Sequence, residues 1–245
     1  IISHYKLDLP NEAYLVEEVM KIYVIIWKYI FGKPIFRNKG SCFLLKENQE
    51  YKRHWRKFII FTLIVGLVVG VISVISDNLP NLADDVTVLE FIISYLAITI
   101  NSLPMWFILA MLVGYLFANN ISKAALLGSI YTICAITFYF AIGHFYIEAT
   151  VSSSFKEQAL VYAIWGGASA IGGILGGITG FLLKKTPYAL LILLVGLILQ
   201  LFVNGTFSWG NVVGIAQSVT FCLMIVSIVF YIVIVKRKKE PNWGT

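Results

Sequence analysis

Between Phe58 and Ser76 the chain reads FIIFTLIVGLVVGVISVIS, with no charged side chain and with the basic cluster Lys52-Arg53-His54-Trp55-Arg56-Lys57 directly before it. An apolar run of about 18 residues or more crosses the hydrocarbon core as a helix, because a segment in lipid must satisfy its own backbone groups. Similar runs recur toward the C-terminus, which restricts the chain to a bundle of membrane-crossing helices. Composition agrees: 59% of the 245 residues are hydrophobic, 13% are charged and the mean hydropathy is +0.83. A soluble domain carries about 25% charged residues. This chain lacks the polar surface to cover a water-soluble globule.

The charges orient the spans. A net charge of +6 and a pI of about 9.1 raise the question of nucleic acid. The basic residues, however, form short clusters beside the apolar runs, at 52–57, at Lys184-Lys185 and at Lys236-Arg237-Lys238-Lys239. That placement sets membrane topology, and no nucleic-acid partner is expected. The first span, from Lys57 to Ser76, leads to Asp77, Asp84 and Asp85 with no Lys or Arg, so the N-terminus is expected inside and this loop outside. Residues 87–100, with Glu90, read as an outer interfacial or re-entrant helix. The second span is expected to open near Asn101, with Pro104 in its tolerant first turn, and to run inward to Asn119-Asn120 and Lys123. A third span, 124–147, goes out to a loop holding Glu148, Lys156 and Glu157. The fourth, 159–183, returns to Lys184-Lys185. Pro187 opens the fifth, which ends at Asn204-Gly205, and the sixth, 212–235, ends at the basic tail.

The expected fold is therefore all-α: an integral membrane helical bundle of about six transmembrane helices, multi-pass in the cell membrane with both termini cytoplasmic. Its expected parts are a cytoplasmic N-terminal segment over 1–57, a transmembrane domain over 58–235 and a basic cytoplasmic tail over 236–245. Within the first part, residues 12–31 read as an amphipathic helix whose Glu17, Glu18, Lys21 and Lys28 fall within an arc of about 100°. Such a helix suits the cytoplasmic interface or the underside of a bundle; the first helix of a truncated soluble domain is the alternative. Gly32-Lys33-Pro34 ends it, and a basic linker follows. The chain opens on Ile1, so its natural start is expected upstream, and its N-terminal segment lacks the core and cleavage site of a secretory signal. Cys42, Cys134 and Cys222 have no paired spacing, so neither a disulfide framework nor a zinc pattern is expected.

Two patterns stand out within the spans. The fourth reads WGGASAIGGILGGITGF, with Gly172, Gly176 and Gly180 on one small-residue ladder and Ser169, Gly173 and Gly177 on the next. Lipid supplies no hydrophobic drive between helices, so close backbone approach is a main source of packing energy. Two ladders imply two close neighbours and a central helix, either tightly packed or built to slide. Gly66 and Gly70 offer a weaker seam in the first span. The second pattern is a collection of polar and aromatic residues toward the outer side: Asn101, Ser102, Trp106, His144, Glu148, Tyr162, Trp165, Gln200, Asn204 and Gln217. Buried amides and imidazoles turn toward each other, water or a ligand. These residues outline an outward pocket beneath the 77–101 loop, or else ordinary polar helix ends.

His144 and Glu148 share a helical face and suit a proton or metal site, but no third ligand is identifiable, so no metal or other cofactor is expected. Trp27, Tyr29, Trp55, Trp106, Trp165 and Trp209 match an interfacial aromatic belt. There is no P-loop, no His-Glu-x-x-His and no Gly-x-Ser-x-Gly. Glu17-Glu18 is similar to the paired glutamates of intramembrane CAAX-type proteases, yet Ile22 stands where that family has Arg. An enzyme is therefore not expected.

The stretch NSLPMWFILAMLVGYLFANNISKAALLGSIYTICAITFYF, followed by AIWGGASAIGGILGGITGFLL, resembles an uncharacterised family of bacterial polytopic membrane proteins with a similar Asn-Ser…Trp opening and a later glycine-rich helix. The layout also resembles the S subunits of energy-coupling-factor transporters, which implies an outward pocket covered by the loop after the first helix. It departs from them in its basic, amphipathic N-terminal segment and in having Gly66 and Gly70 in place of an Ala-x-x-x-Ala motif. A third likeness is to permease subunits of ABC exporters, including those conferring bacteriocin immunity. There the long outer segment usually lies between the last two spans, not after the first. These likenesses imply a non-enzymatic component of a transport system that binds a small ligand from outside. The alternatives are an ABC-type permease or immunity subunit with a separate ATPase, and an intramembrane enzyme or regulatory protein. Expected partners are membrane lipid, an ATPase or other transporter subunits, and a small molecule or peptide.

Overall fold

A computed structural model describes residues 43–79, 87–146, 155–205 and 212–239. All its elements are helical: α1 (Phe43–Asp77), α2 (Val88–Ile100), α3 (Leu103–Phe117), α4 (Ile121–Tyr146), α5 (Phe155–Leu183), a 3₁₀ turn at Pro187–Ala189, α6 (Leu190–Asn204) and α7 (Val212–Lys239). The chain divides into two units, Ile1–Glu50 and Tyr51–Thr245, and the helical bundle belongs to the second. The amphipathic helix expected over 12–31 lies outside the described residues, as does Glu148.

Among the described residues, five stretches are long and apolar enough to cross a membrane: Lys52–Asp77, Ile121–Phe145, Leu160–Leu183, Pro187–Asn204 and Val212–Arg237. The bent pair α2 and α3 makes a sixth if it counts as one span. The protein is thus an all-α helical bundle with the spans of a multi-pass membrane protein. Large apolar side chains cover its outside, among them Ile64 and Leu67 on α1, Leu199 and Phe202 on α6, and Leu223 and Phe230 on α7. In water such a surface would aggregate; against lipid it is the expected exterior.

One helix runs through position 57, where composition alone sets the edge of the membrane domain. No Gly or Pro lies between Gly40 and Gly66, and Leu, Lys, Glu and Gln favour helix. The break between α2 and α3 is also local in origin. Pro104 has no backbone N–H and is tolerated in the first turn of α3, and the two axes meet at 61°. At its 15 residues, α3 is about 22 Å long, short of the ~30 Å hydrocarbon core.

Side-chain contacts give the helix directions. Gly66 faces Ala135 and Phe138, and Gly70 faces Phe138 and Tyr139, so α1 and α4 run parallel. Ala124, Gly128 and Thr132 meet Gly177, Gly173 and Ser169 in turn, so α4 and α5 are antiparallel. Gly176 meets Phe107 and Ala110, and Gly180 meets Met111, so α3 runs with α5. In this arrangement Arg53, Arg56, Lys57, Lys123, Lys184, Lys185, Lys236 and Arg237 gather at one end, the Lys184 end. Asp77, Asn101, Gln200, Asn204 and Gln217 gather at the other, the Asp77 end.

Both glycine ladders have a neighbour, but not at every rung. A Cβ on Gly173 or Gly177 would strike the backbone of α4, and one on Gly180 the carbonyl of Met111. Gly172 meets nothing within 4 Å. It lies one turn beyond Gly176, where α3 has only its first turn, so the expected packing role fails there. The expectation of a central fourth span also needs adjusting. α5 leaves a side exposed at Ile171, Ile174 and Leu175. The helix that joins both large apolar clusters is α3: Ala110 and Val113 pack with Phe58, Leu127 and Tyr131, while Met111 packs with Leu193, Leu197 and Phe221.

The Lys184 end is closed by polar caps. The Lys184 ammonium donates to the Ala118 carbonyl at 2.8 Å, satisfying an orphan group at the negative end of α3. The Asn120 Oδ1 accepts from the Lys123 N–H at 2.8 Å, an N-cap that starts α4 soon after α3 stops.

Candidate functional site

Polar side chains at the Asp77 end form two groups, joined by the C-terminal turn of α2. A helix leaves its last four carbonyls without intrahelical donors. Here the Ala97 carbonyl accepts from the Asn101 N–H at 2.9 Å, and the Thr99 carbonyl accepts from the Ser102 N–H and, at 2.6 Å, from the Ser102 hydroxyl. The Ile98 carbonyl is served from another helix: Gln217 Nε2 on α7 donates to it at 3.0 Å.

The first group is centred on Asp77, the last residue of α1. Its Oδ1 accepts from Asn101 Nδ2 at 2.7 Å and its Oδ2 from the Tyr139 hydroxyl at 2.6 Å. One carboxylate thereby ties α1, α4 and the α2–α3 break together. Hydrogen bonds to a charged acceptor are about twice as strong as neutral ones.

The second group is a chain of amides. Gln200 and Asn204 are four apart on one face of α6, and Gln200 Nε2 donates to Asn204 Oδ1 at 2.6 Å. Asn204 Nδ2 reaches Gln217 Oε1 over a long 3.5 Å. Gln217 is only 6% exposed. Gln200 Oε1 is buried and accepts no hydrogen bond, and so is the Thr99 hydroxyl oxygen. A buried polar atom left unpaired costs about 1–3 kcal/mol, which makes this corner of the bundle the least satisfied polar region near α2. One turn further along α7, the Tyr95 and Thr220 hydroxyls share a hydrogen bond at 2.7 Å.

The residues singled out in the sequence divide accordingly. Asn101 joins the Asp77 group, and Gln200, Asn204 and Gln217 form the amide group. Ser102 is buried and spends its hydroxyl on the Thr99 carbonyl. Trp106 is half-buried on α3. Tyr162 packs against Phe140, with ring centroids 4.4 Å apart, and Trp165 is 51% exposed. His144 is exposed, its ring beside Phe145. None of Tyr162, Trp165 and His144 joins the amides: Tyr162 is turned to Phe140 on α4, and Trp165 and His144 are exposed. Asp77, Tyr139, Tyr95 and Thr220 were missed. Asp77 carried a signal as the acid that closes the first span, whereas Tyr139 and Thr220 look like ordinary span residues.

Among the described residues no three His, Cys, Asp or Glu side chains come together in a way that would hold a metal ion. The arrangement suits hydrogen bonding to an uncharged polar group. No known protein family, no curated protein and no solved structure matches this chain.

Proposed function

We propose that this protein is a non-enzymatic component of a membrane transport system that binds a small polar ligand at its Asp77 end. The observation that carries the reading is the amide group: Gln217 is buried, Gln200 and Asn204 are half-buried beside it, and the Gln200 Oε1 acceptor is buried and unpaired. A buried polar group in an apolar bundle is costly to keep, and a ligand N–H or O–H on Gln200 Oε1 would recover that cost. The gathering of basic residues at the Lys184 end supports a cytoplasmic location for that end. The N- and C-termini are then inside and the amide group opens outward, with lipid around the bundle and an ATPase or other transporter subunit as the energy-coupling partner.

The test is native mass spectrometry of the protein purified in mild detergent, beside the Gln217→Leu and Gln200→Leu variants. A retained small molecule that is lost in both variants is the expected result. An empty wild-type protein, or one that keeps the same molecule in both variants, removes the binding role. Stable copurification of an ATPase pair without any small ligand favours a permease subunit instead.

A further inference from the structure

The break at Asn101-Ser102 separates two helices that are held in different ways. α3 is gripped by apolar clusters on two sides. α2 buries only two small side chains, Ser94 and Ala97. Five of its large apolar residues, Val88, Leu89, Ile92, Ile93 and Leu96, face outward, while Phe91, Ile98 and Ile100 are half-buried. Two polar bonds tie it to α7: the Tyr95–Thr220 hydroxyl bond and the Gln217 amide on the Ile98 carbonyl. Both bonds are between neutral groups, and such bonds exchange for water or a ligand at little net cost.

The base of α2 is fixed by contrast. Asn101 is bonded to Asp77, whose second oxygen holds Tyr139. The backbone turns between Asn101, at ψ 1°, and Ser102, at ψ 148°. A change at these two residues swings α2 without disturbing α3. Hinges of this kind are a few element-terminal residues that absorb a change in φ and ψ.

We propose that α2 is a hinged cover over the Gln200–Asn204–Gln217 amides, pivoting at Asn101-Ser102 and latched to α7 by Tyr95–Thr220 and by Gln217 on the Ile98 carbonyl. When α2 swings away, Gln217 Nε2 loses its acceptor and gains access to the medium. The amides then present donors and acceptors together, which suits a neutral ligand carrying both. That use of the movement rests on the binding role proposed above; the movement itself does not.

Double electron–electron resonance in lipid nanodiscs tests it, with Cys42, Cys134 and Cys222 replaced by Ala. Spin labels at Leu89→Cys on α2 and Ile171→Cys on α5 report the cover, and labels at Ile171→Cys and Leu223→Cys report the bundle. The expected result is two distance populations for the cover pair. Tyr95→Phe and Gln217→Leu, each removing one latch bond, shift their ratio roughly two- to tenfold toward the displaced one. The bundle pair stays unchanged. Thr220→Val cuts the same hydroxyl bond from the α7 side and must act like Tyr95→Phe. A single cover distance, or one whose distribution ignores all three latch variants, overturns the proposal. A moving cover in a protein that retains no small molecule keeps the hinge and removes the binding role.

Discussion

Alanine at Gly177 is expected to behave unlike alanine at Gly172. The two glycines lie five residues apart on α5, and both gain the same helix propensity on substitution, up to about 1 kcal/mol. Their surroundings differ. A Cβ on Gly177 would strike the Ala124 carbonyl oxygen, with the carbonyl carbon at 2.9 Å and Gly128 Cα at 3.2 Å. A Cβ on Gly172 meets nothing within 4 Å. Backbone cannot rotate away as a side chain does, so Gly177→Ala forces α4 and α5 apart by roughly 0.5–1 Å. A gap of that size forfeits a quarter to a half of each pair's attraction, about 0.1–0.2 kcal/mol per pair at best. Over a seam of some tens of atom pairs the loss is on the order of 1–2 kcal/mol, within the range of about 1–3 kcal/mol seen for overpacking. The assay is equilibrium unfolding in bicelles, followed by steric trapping, on both variants in parallel. Gly177→Ala should fall below Gly172→Ala by about 1–3 kcal/mol, since the propensity terms cancel. Equal stabilities, or the opposite order, would refute the claim that the α4–α5 seam is closed by backbone contact.

Other consequences are equally concrete. Thr87→Ala breaks the capping box in which the Glu90 N–H donates to Thr87 and the Glu90 carboxylate accepts from the Thr87 N–H; it should weaken the first turn of α2 by about 1 kcal/mol. Hydrogen exchange should then speed up at Val88–Phe91 and leave α4 protected. Lys184→Met leaves the Ala118 carbonyl without its donor and should lower stability by about 0.5–1.5 kcal/mol, read by thermal unfolding in detergent. Asp77→Ala removes the acceptor of both Asn101 and Tyr139 and should increase proteolysis or exchange around Asn101 while sparing the α4–α5 seam. Cysteines at Asn78 and Lys185, labelled in intact cells with an impermeant maleimide, should react at Asn78 only; reaction at Lys185 from outside would reverse the orientation.

Much of the fold was legible because it depends on local pattern. Hydropathy over about 20 residues marks a span whatever its neighbours are. Pro104 and Pro187 open helical segments where their missing N–H does no harm, and Asn204-Gly205 closes α6 where expected. The same local rules fix the height of each polar residue, since each helical residue adds about 1.5 Å along the axis. That is why Asn101, Gln200, Asn204 and Gln217 were found together at one end.

Tertiary structure decided the direction each residue faces. Height along a span follows from counting residues, but rotation about its axis follows from which neighbour it packs against. His144, Tyr162 and Trp165 do not join the amides, and Gly172 sits on the right ladder at a rung with no partner. Asp77 meets Tyr139 62 residues away, and Gln217 meets Ile98 119 residues away. No local pattern encodes such pairings. They arise when small residues let α3, α4 and α5 close on one another, and that closure sets the rotation of every helix around them.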